Sequence, residues 1–173
     1  MALMNMRNLA LPILALVLAG AGVARAGPSD FDQKLLDAHN RERASLSLPP
    51  LTWSDKLAQD AAAWAAHLAA LGHAEHSKPD QRGHAGESLW QGTAGAYGPD
   101  EIVAGWIAEK KDFVYGPFPA VTKGDDWHVV GHYTQVVWRN TTELGCAKTT
   151  AGAWDIVVCR YNPGGNLVGE KPY

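Results

Sequence analysis

Apolar side chains recur at helical spacing along the first half of the chain. The spacing of Phe31, Leu35 and His39 predicts a helix that begins near Asp30, with Ser29 as its N-cap. The run 46–50 predicts where this helix ends, because its two prolines cannot continue a helix.

A second helix is predicted from about Asp55 to Leu71. Leu57, Trp64 and Leu68 fall on one stripe of that helix, and Gly72 is placed to stop it. Between the two helices, the short apolar run 51–53 predicts a connector that buries its tryptophan.

The segment after Gly72 is rich in glycine and predicts a loop that lasts until Pro99 restarts the helical period. Ile102, Trp106 and Glu109 then follow at positions i, i+4 and i+7. The carboxylate of Glu109 therefore continues an inward-facing stripe, unless helix rotation or a neighbouring lysine keeps it solvated. The spacing leaves both interpretations open.

The last third of the chain predicts three antiparallel strands, at 131–138, 144–149 and 154–161. In the first of them, a period of two places His132 on the same sheet face as Trp138. An imidazole in that setting needs a polar partner. Helices followed by strands favour the α+β class.

Cys146 and Cys159 are the only two cysteines. Antiparallel pairing across a turn at 151–153 places them opposite each other, so a cross-strand disulfide fits the register. A redox couple and a pair of metal thiolates are the alternatives that sequence leaves open.

The first 26 residues have the pattern of a secretory signal peptide. Arg7 precedes an apolar stretch at 9–21, and Ala24-Arg25-Ala26 has the small-x-small form of a cleavage site. The apolar stretch is too short for a membrane-spanning helix, and no later stretch is longer. We therefore expect a signal peptide at 1–26 and a single secreted domain at 27–173, with an uncleaved anchor as the alternative.

Net charge argues against a nucleic-acid partner. The full chain has a formal charge of −3, and removal of Arg7 and Arg25 leaves 13 basic side chains against 18 acidic ones, or −5. A domain that binds nucleic acid usually carries a basic patch, and no basic run stands out here.

Two segments near the C-terminus are similar to signature segments of one family. Residues 131–138 read GHYTQVVW, and residues 158–166 read VCRYNPGGN. They resemble the CAP superfamily, which comprises cysteine-rich secretory proteins, antigen 5 and the class one pathogenesis-related proteins and is built on the SCP domain. The resemblance implies a three-layer α-β-α sandwich with a central antiparallel sheet.

The same resemblance implies a cleft formed by four residues from four segments, a tetrad. They are a His before Ser, a Glu after Gly, a Glu three residues after Trp and the His of the 131–138 segment, here His76, Glu87, Glu109 and His132. Spacing along the chain does not show that they converge. Gly86-Glu87-Ser88 lacks the asparagine that often follows this glutamate in the family.

Three kinds of chemistry suit two imidazoles and two carboxylates in one depression. They can be structural hydrogen-bonded pairs, or His76 and His132 can bind zinc or another divalent metal while the carboxylates orient them. Alternatively, Glu87 or Glu109 can act as a general base in a metal-dependent hydrolase or protease. The sequence has no His-Glu-x-x-His helix and no Gly-x-Ser-x-Gly turn, so catalysis is the least favoured of the three.

An aromatic loop precedes the 131–138 segment, and the resemblance links the corresponding loop to sterol binding. Its candidate lipid-contacting residues are Phe113, Tyr115, Phe118 and Trp127. Aromatic side chains at this density in a loop that carries Pro and Gly can close a groove or contact a lipid. The family also has a separate groove between helices that is linked to fatty acids.

Other histidines are expected to lie outside the cleft. His73 and His84 flank His76 in loop sequence, where solvent-exposed histidines are common, and a histidine cluster enlarged by both is the alternative. His39 begins a His-Asn-x-x-Arg pattern that ends at Arg43 and resembles the family's first-helix signature, which indicates a structural hydrogen bond to the sheet.

These features favour a secreted, non-catalytic binding protein with a metal-binding cleft and an apolar groove for lipid or sterol. Two other classes stay open. One is a secreted metal-dependent hydrolase, and the other is an extracellular interaction module in defence or at an envelope, with a protein partner.

Overall fold

The structure is a computed structural model, and it describes residues 27–173. The predicted signal peptide therefore lies outside the described residues. In chain order, the helices and strands of the described part are α1 (Asp30–Ser45), β1 (Thr52–Trp53), α2 (Asp55–Leu71), β2 (Gly86–Thr93), α3 (Pro99–Ile107), α4 (Gly131–Val136), β3 (Glu143–Ala151) and β4 (Trp154–Asn162). Short 3-10 turns lie at Pro79–Arg82, Ala108–Asp112 and Trp127–Val130. No helix in this part of the chain is long and apolar enough to cross a membrane.

The first two helices confirm the prediction from periodicity. The Ser29 hydroxyl accepts a hydrogen bond from the Asp32 amide at 3.2 Å, which caps α1. Gly72 ends α2 with a φ of 83°, a left-handed conformation that favours glycine. The connector between them holds the short strand β1, where Trp53 is partly rather than fully buried.

The C-terminal hairpin also has the predicted register. β3 and β4 are antiparallel, and Cys146 pairs with Cys159 in the ladder and forms a disulfide with it. β2 lies antiparallel on the other side of β4, and β1 adds two residues parallel to β3, so the strand order is β1-β3-β4-β2. The sheet is antiparallel apart from this short edge strand.

Helices cover both faces of the sheet, which confirms the three-layer α-β-α sandwich. On one face, α2 packs Ala61, Ala65 and Leu68 against Ile156 and Val158. On the other face, α1, α3 and α4 share the larger core cluster with β3 and β4. α2 lies so close to β3 that a Cβ on Gly145 would be only 2.3 Å from the Ala58 nitrogen.

The prediction of a strand at 131–138 is wrong. Most of this segment forms the helix α4, which follows directly after the 3-10 turn at Trp127–Val130. Contacts from distant parts of the chain supply the hydrogen bonds that a strand ladder would have given it. Glu109 accepts the amides of His132 and Tyr133, both at 3.0 Å. Arg43 donates to the carbonyls of Val136 and Trp138, at 3.0 and 2.8 Å.

The segment read as a continuous loop between α2 and α3 contains the strand β2. Its glycines relieve crowding rather than mark turns. A Cβ on Gly86 would lie 2.0 Å from Gln135 Oε1, and one on Gly92 would lie 2.3 Å from the Trp90 ring. β2 matters for function because it carries Glu87.

Candidate functional site

Glu87 is anchored by the strand opposite it. The register of β2 and β4 pairs Glu87 with Arg160, and Arg160 Nη1 lies 2.6 Å from Glu87 Oε2. Both side chains are almost fully buried, with exposures of 3% for Arg160 and 1% for Glu87. Since a buried charge needs a partner, the cross-strand arginine allows a carboxylate at this depth.

Three further groups donate hydrogen bonds to the Glu87 carboxylate. His76 Nδ1 donates to Oε1 at 2.7 Å, the Ser77 amide donates to Oε1 at 3.0 Å, and the Ser77 hydroxyl donates to Oε2 at 3.1 Å. Burial alone would raise the pKa of Glu87, but the His76 hydrogen bond and the charge of Arg160 outweigh it and hold that pKa below its ordinary value. Glu87 is therefore ionised at neutral pH.

The second histidine–glutamate pair, His132 and Glu109, is held by helical elements rather than by the sheet. Glu109 lies in the 3-10 turn after α3, and its Oε1 accepts from His132 Nδ1 at 2.6 Å. Its Oε2 accepts the backbone amides of His132 and Tyr133 at the start of α4. The Trp106 ring stacks on the His132 ring with a centroid distance of 5.9 Å. Glu109 thus faces inward toward α4, which is one of the two interpretations that its spacing left open.

One cavity of about 390 Å³ brings most of these residues together. His76, Glu87 and His132 line it, and Glu109 lies behind His132 as its hydrogen-bond partner. Trp127, which the sequence predicts in a lipid-binding loop, lines this cleft.

Sequence reasoning missed several residues of the site. Arg160, His128, Gln135 and Asn166 belong to it as an anchor or as cleft lining. The signal for His128 was its position four residues before His132. The signal for Arg160 was weaker, because its pairing with Glu87 depends on the strand β2, whose glycines are typical of a loop.

The imidazoles are oriented as metal ligands usually are. A carboxylate accepts hydrogen bonds, so Nδ1 of both His76 and His132 carries a hydrogen, and in the neutral imidazole Nε2 is then the nitrogen with a free lone pair. In residues 27–173, Nε2 of neither ring has a hydrogen-bond partner. This carboxylate–histidine arrangement orients zinc ligands in proteins. In the same range, no three His, Cys, Asp or Glu side chains are placed so that they already share one metal ion.

The carboxylates of Glu87 and Glu109 differ in whether they can accept a further hydrogen bond. Glu87 receives two hydrogen bonds on each oxygen, so its acceptor positions are filled. Glu109 receives one on Oε1 and two on Oε2, which leaves one acceptor position on Oε1. A general base needs a free acceptor, so Glu109 is the only one of the two that is available for that role.

The four aromatic residues predicted to contact lipid are mostly engaged in packing. Phe118 is buried in a small cluster with Val121, Val130 and Trp138. The rings of Phe118 and Trp127 meet edge to face at 4.8 Å, and Phe113 meets Tyr133 in the same way at 5.2 Å. Tyr115 is about half exposed and lies beside Tyr173.

The remaining histidines have the surroundings that their sequence context predicted. His73 and His84 are exposed, and neither lines the cleft. His39 is fully buried, donates from Nδ1 to the Leu35 carbonyl at 2.8 Å and accepts from the Tyr161 hydroxyl at 2.9 Å. The predicted structural hydrogen bond from His39 to the sheet is confirmed.

Comparison with known proteins identifies the family. A model of the CAP, or cysteine-rich secretory protein, family matches residues 36–161, and the chain belongs to this family. Pathogenesis-related protein 1C of Nicotiana tabacum is 37% identical over 142 residues, covering 82% of this chain and 80% of its own. Pathogenesis-related protein PRMS of Zea mays is 37% identical over 170 residues, covering 96% of this chain and 97% of its own.

Solved structures show the same fold. A crystal structure of NaASP2 with Zn²⁺ matches with a TM-score of 0.69 and 24% identity, covering 86% of this chain and 90% of that one. A structure of BmVAL-1 matches with a TM-score of 0.68 and 25% identity, covering 86% and 84%.

Proposed function

We propose that the protein is a secreted, non-catalytic binding protein whose cleft holds a divalent metal ion between His76 and His132. The observation that carries this proposal is the orientation of the two rings. Each has Nδ1 fixed by a carboxylate, at 2.7 Å and 2.6 Å, and each keeps Nε2 available on a cleft of suitable size. The crystal structure of NaASP2 with Zn²⁺ supports zinc as the first ion to test.

Secretion and the absence of turnover are parts of the same proposal. The disulfide between Cys146 and Cys159 supports an oxidising compartment, and the apolar stretch at 9–21 supports export through a signal peptide. The filled acceptor positions of Glu87 support a role in orienting His76 rather than in proton transfer.

Zinc calorimetry tests the metal site. Wild-type protein should bind zinc, and His132→Ala or His76→Ala should weaken binding at least about 10-fold, because each removes one of the two nitrogen ligands. His67→Ala is the matched control, since His67 is exposed on α2 and lies off the cleft. Equal zinc affinity in His132→Ala and His67→Ala would reject this cleft as the site.

A second activity, binding of a lipid or sterol, is supported by a groove between α1 and α3. Its volume is about 470 Å³, and Ala38, Val103, Ala104 and Ile107 provide its apolar lining. Arg41 pairs with Asp100 beside this groove and is half exposed or more. Glu42 and Asp100 also line this groove, so its apolar residues, rather than a free cation, support the binding of a lipid tail.

Native mass spectrometry of protein purified from its secreting host tests lipid binding. We expect an added mass in the wild-type protein and its loss in Ala104→Trp, because Ala104 is exposed and lines the groove. Ala66→Trp is the matched control, as Ala66 is an exposed alanine on α2 away from the groove. An added mass that survives Ala104→Trp, or no added mass in the wild type, would contradict lipid binding at this groove.

A further inference from the structure

His128 repeats the arrangement of the two cleft histidines. Its Nδ1 donates to Asp126 Oδ1 at 2.6 Å, and its backbone amide donates to the same oxygen at 3.0 Å. In the neutral ring, a hydrogen on Nδ1 leaves the lone pair on Nε2, which is the same arrangement as in His76 and His132. Three imidazoles, each held through Nδ1 by its own carboxylate, therefore surround one cleft.

The position of His128 places it at the mouth of this cleft. It lies in the Trp127–Val130 turn, which leads directly into α4 and His132. His128 lines the same cavity as His76 and His132. Its ring stacks on the Trp127 ring at a centroid distance of 3.8 Å, and its side chain is 70% exposed. Reorientation of the ring gives up the stacking on Trp127 and the hydrogen bond to Asp126, both of which lie at the exposed surface.

We propose that His128 is a third imidazole ligand of the cleft, with Nε2 joining those of His76 and His132 around one divalent ion. This inference rests on the proposed metal-binding function and extends it. Since no three such groups in residues 27–173 are already within reach of one ion, binding requires the His128 ring to turn inward. Asp126 holds the ring through Nδ1 in its present orientation, so this hydrogen bond breaks, or the Asp126 side chain moves with the ring, when His128 turns inward.

The donor set determines which ion the site prefers. Three neutral imidazoles favour zinc and other nitrogen-preferring divalent ions over magnesium or calcium, which take oxygen ligands. Three protein ligands also leave a fourth tetrahedral position on zinc for water or a small ligand. Zinc alone is therefore the appropriate probe.

Zinc calorimetry on single variants tests the third ligand. His128→Ala should weaken zinc binding on the order of 10-fold or more, because it removes one of three nitrogen ligands. His73→Ala is the matched control, because His73 is also an exposed histidine near an acid, with Nε2 3.4 Å from Glu75 Oε2. His73→Ala should bind zinc like the wild type.

The outcomes separate this inference from the proposal beneath it. If His132→Ala loses zinc binding while His128→Ala matches His73→Ala, the third ligand is rejected and the two-histidine site stands. If neither His76→Ala nor His132→Ala changes zinc affinity, both are rejected. A zinc-dependent shift of the His128 Nε2 resonance in the wild-type protein gives a second readout that does not depend on how the variants fold, and its absence at saturation would overturn the inference.

Discussion

Arg160→Met should destabilise the protein by about 3 kcal/mol at neutral pH, because it leaves Glu87 buried without its cationic partner. Arg160 Nη1 lies 2.6 Å from Glu87 Oε2, and the exposed fractions of the two side chains are 3% and 1%. Methionine keeps most of the side-chain volume, so the loss reports on charge rather than on a cavity. Urea unfolding monitored by circular dichroism measures it.

Two controls define the origin of this loss. Lys56→Met removes an exposed i,i+4 ion pair with Asp60, whose side chains are 77% and 49% exposed, and should cost less than about 1 kcal/mol. The double variant Arg160→Met/Glu87→Gln removes both charges and should recover part of the loss. A loss in Arg160→Met no larger than in Lys56→Met would contradict the buried pair.

The pH dependence of the Arg160→Met effect has a definite sign. The pKa of Glu87 lies below its ordinary value of 4.5, so ionised Glu87 contributes stability above that value. This contribution is lost as the pH falls through the lower pKa of the folded state. The difference between wild type and Arg160→Met should therefore be full at neutral pH and shrink in acid.

Acidification should also remove about 3 kcal/mol of stability through His39 as the pH falls from neutral to about 4. The pKa of His39 is lowered from 6.5 to about 4, chiefly by burial and in smaller part by the charge of Arg43, while the hydrogen bond to the Leu35 carbonyl acts in the opposite direction. The unfolded chain takes up a proton below its pKa of 6.5 and the folded protein does not. Stability is therefore lost progressively between these two values.

His39→Gln should flatten this part of the pH profile. Unfolding free energies are measured at several pH values between neutral and about 5, where carboxylates contribute little, and the difference in slope between wild type and His39→Gln isolates His39 from the other six histidines. His67→Gln, which changes an exposed histidine, should leave the wild-type slope unchanged. A slope in His39→Gln equal to that of the wild type would show that His39 is not the group responsible.

The elements that could be predicted from sequence are those whose signal is local. α1 and α2 follow from apolar spacing with Ser29 and Gly72 at their ends, and the β3–β4 register follows from a short turn between two apolar runs. In each case the stabilising partners are close in sequence or repeat regularly. The cross-strand disulfide followed from this register.

The elements that were not predicted correctly depend on residues that are distant in the chain. The segment that forms α4 has a β-like composition, but its backbone groups are satisfied by Glu109 and Arg43, which lie far away in the chain. β2 was not predicted because Gly86 and Gly92 resemble turn signals, whereas in the structure they lie in the strand, close to the side chains of Gln135 and Trp90. Tertiary packing overrides local preference in both segments.

The candidate site could be predicted from the sequence only in part, for the same reason. His76, Glu87, Glu109 and His132 were selected through family resemblance, since no spacing in the chain shows that they converge. Their hydrogen-bond geometry and the role of Arg160 emerge only from the paired strands. The use of both oxygens of Glu87 likewise requires the three-dimensional arrangement.

Imidazole nitrogen NMR on zinc addition tests the central claim most directly, because it distinguishes the two nitrogens of each ring. The structure predicts that Nε2 of His76 and His132 shifts on zinc binding, while Nδ1 of each ring keeps its hydrogen toward Glu87 or Glu109. Unchanged Nε2 resonances of both rings at saturating zinc would contradict a metal site in this cleft, as would ligation through Nδ1.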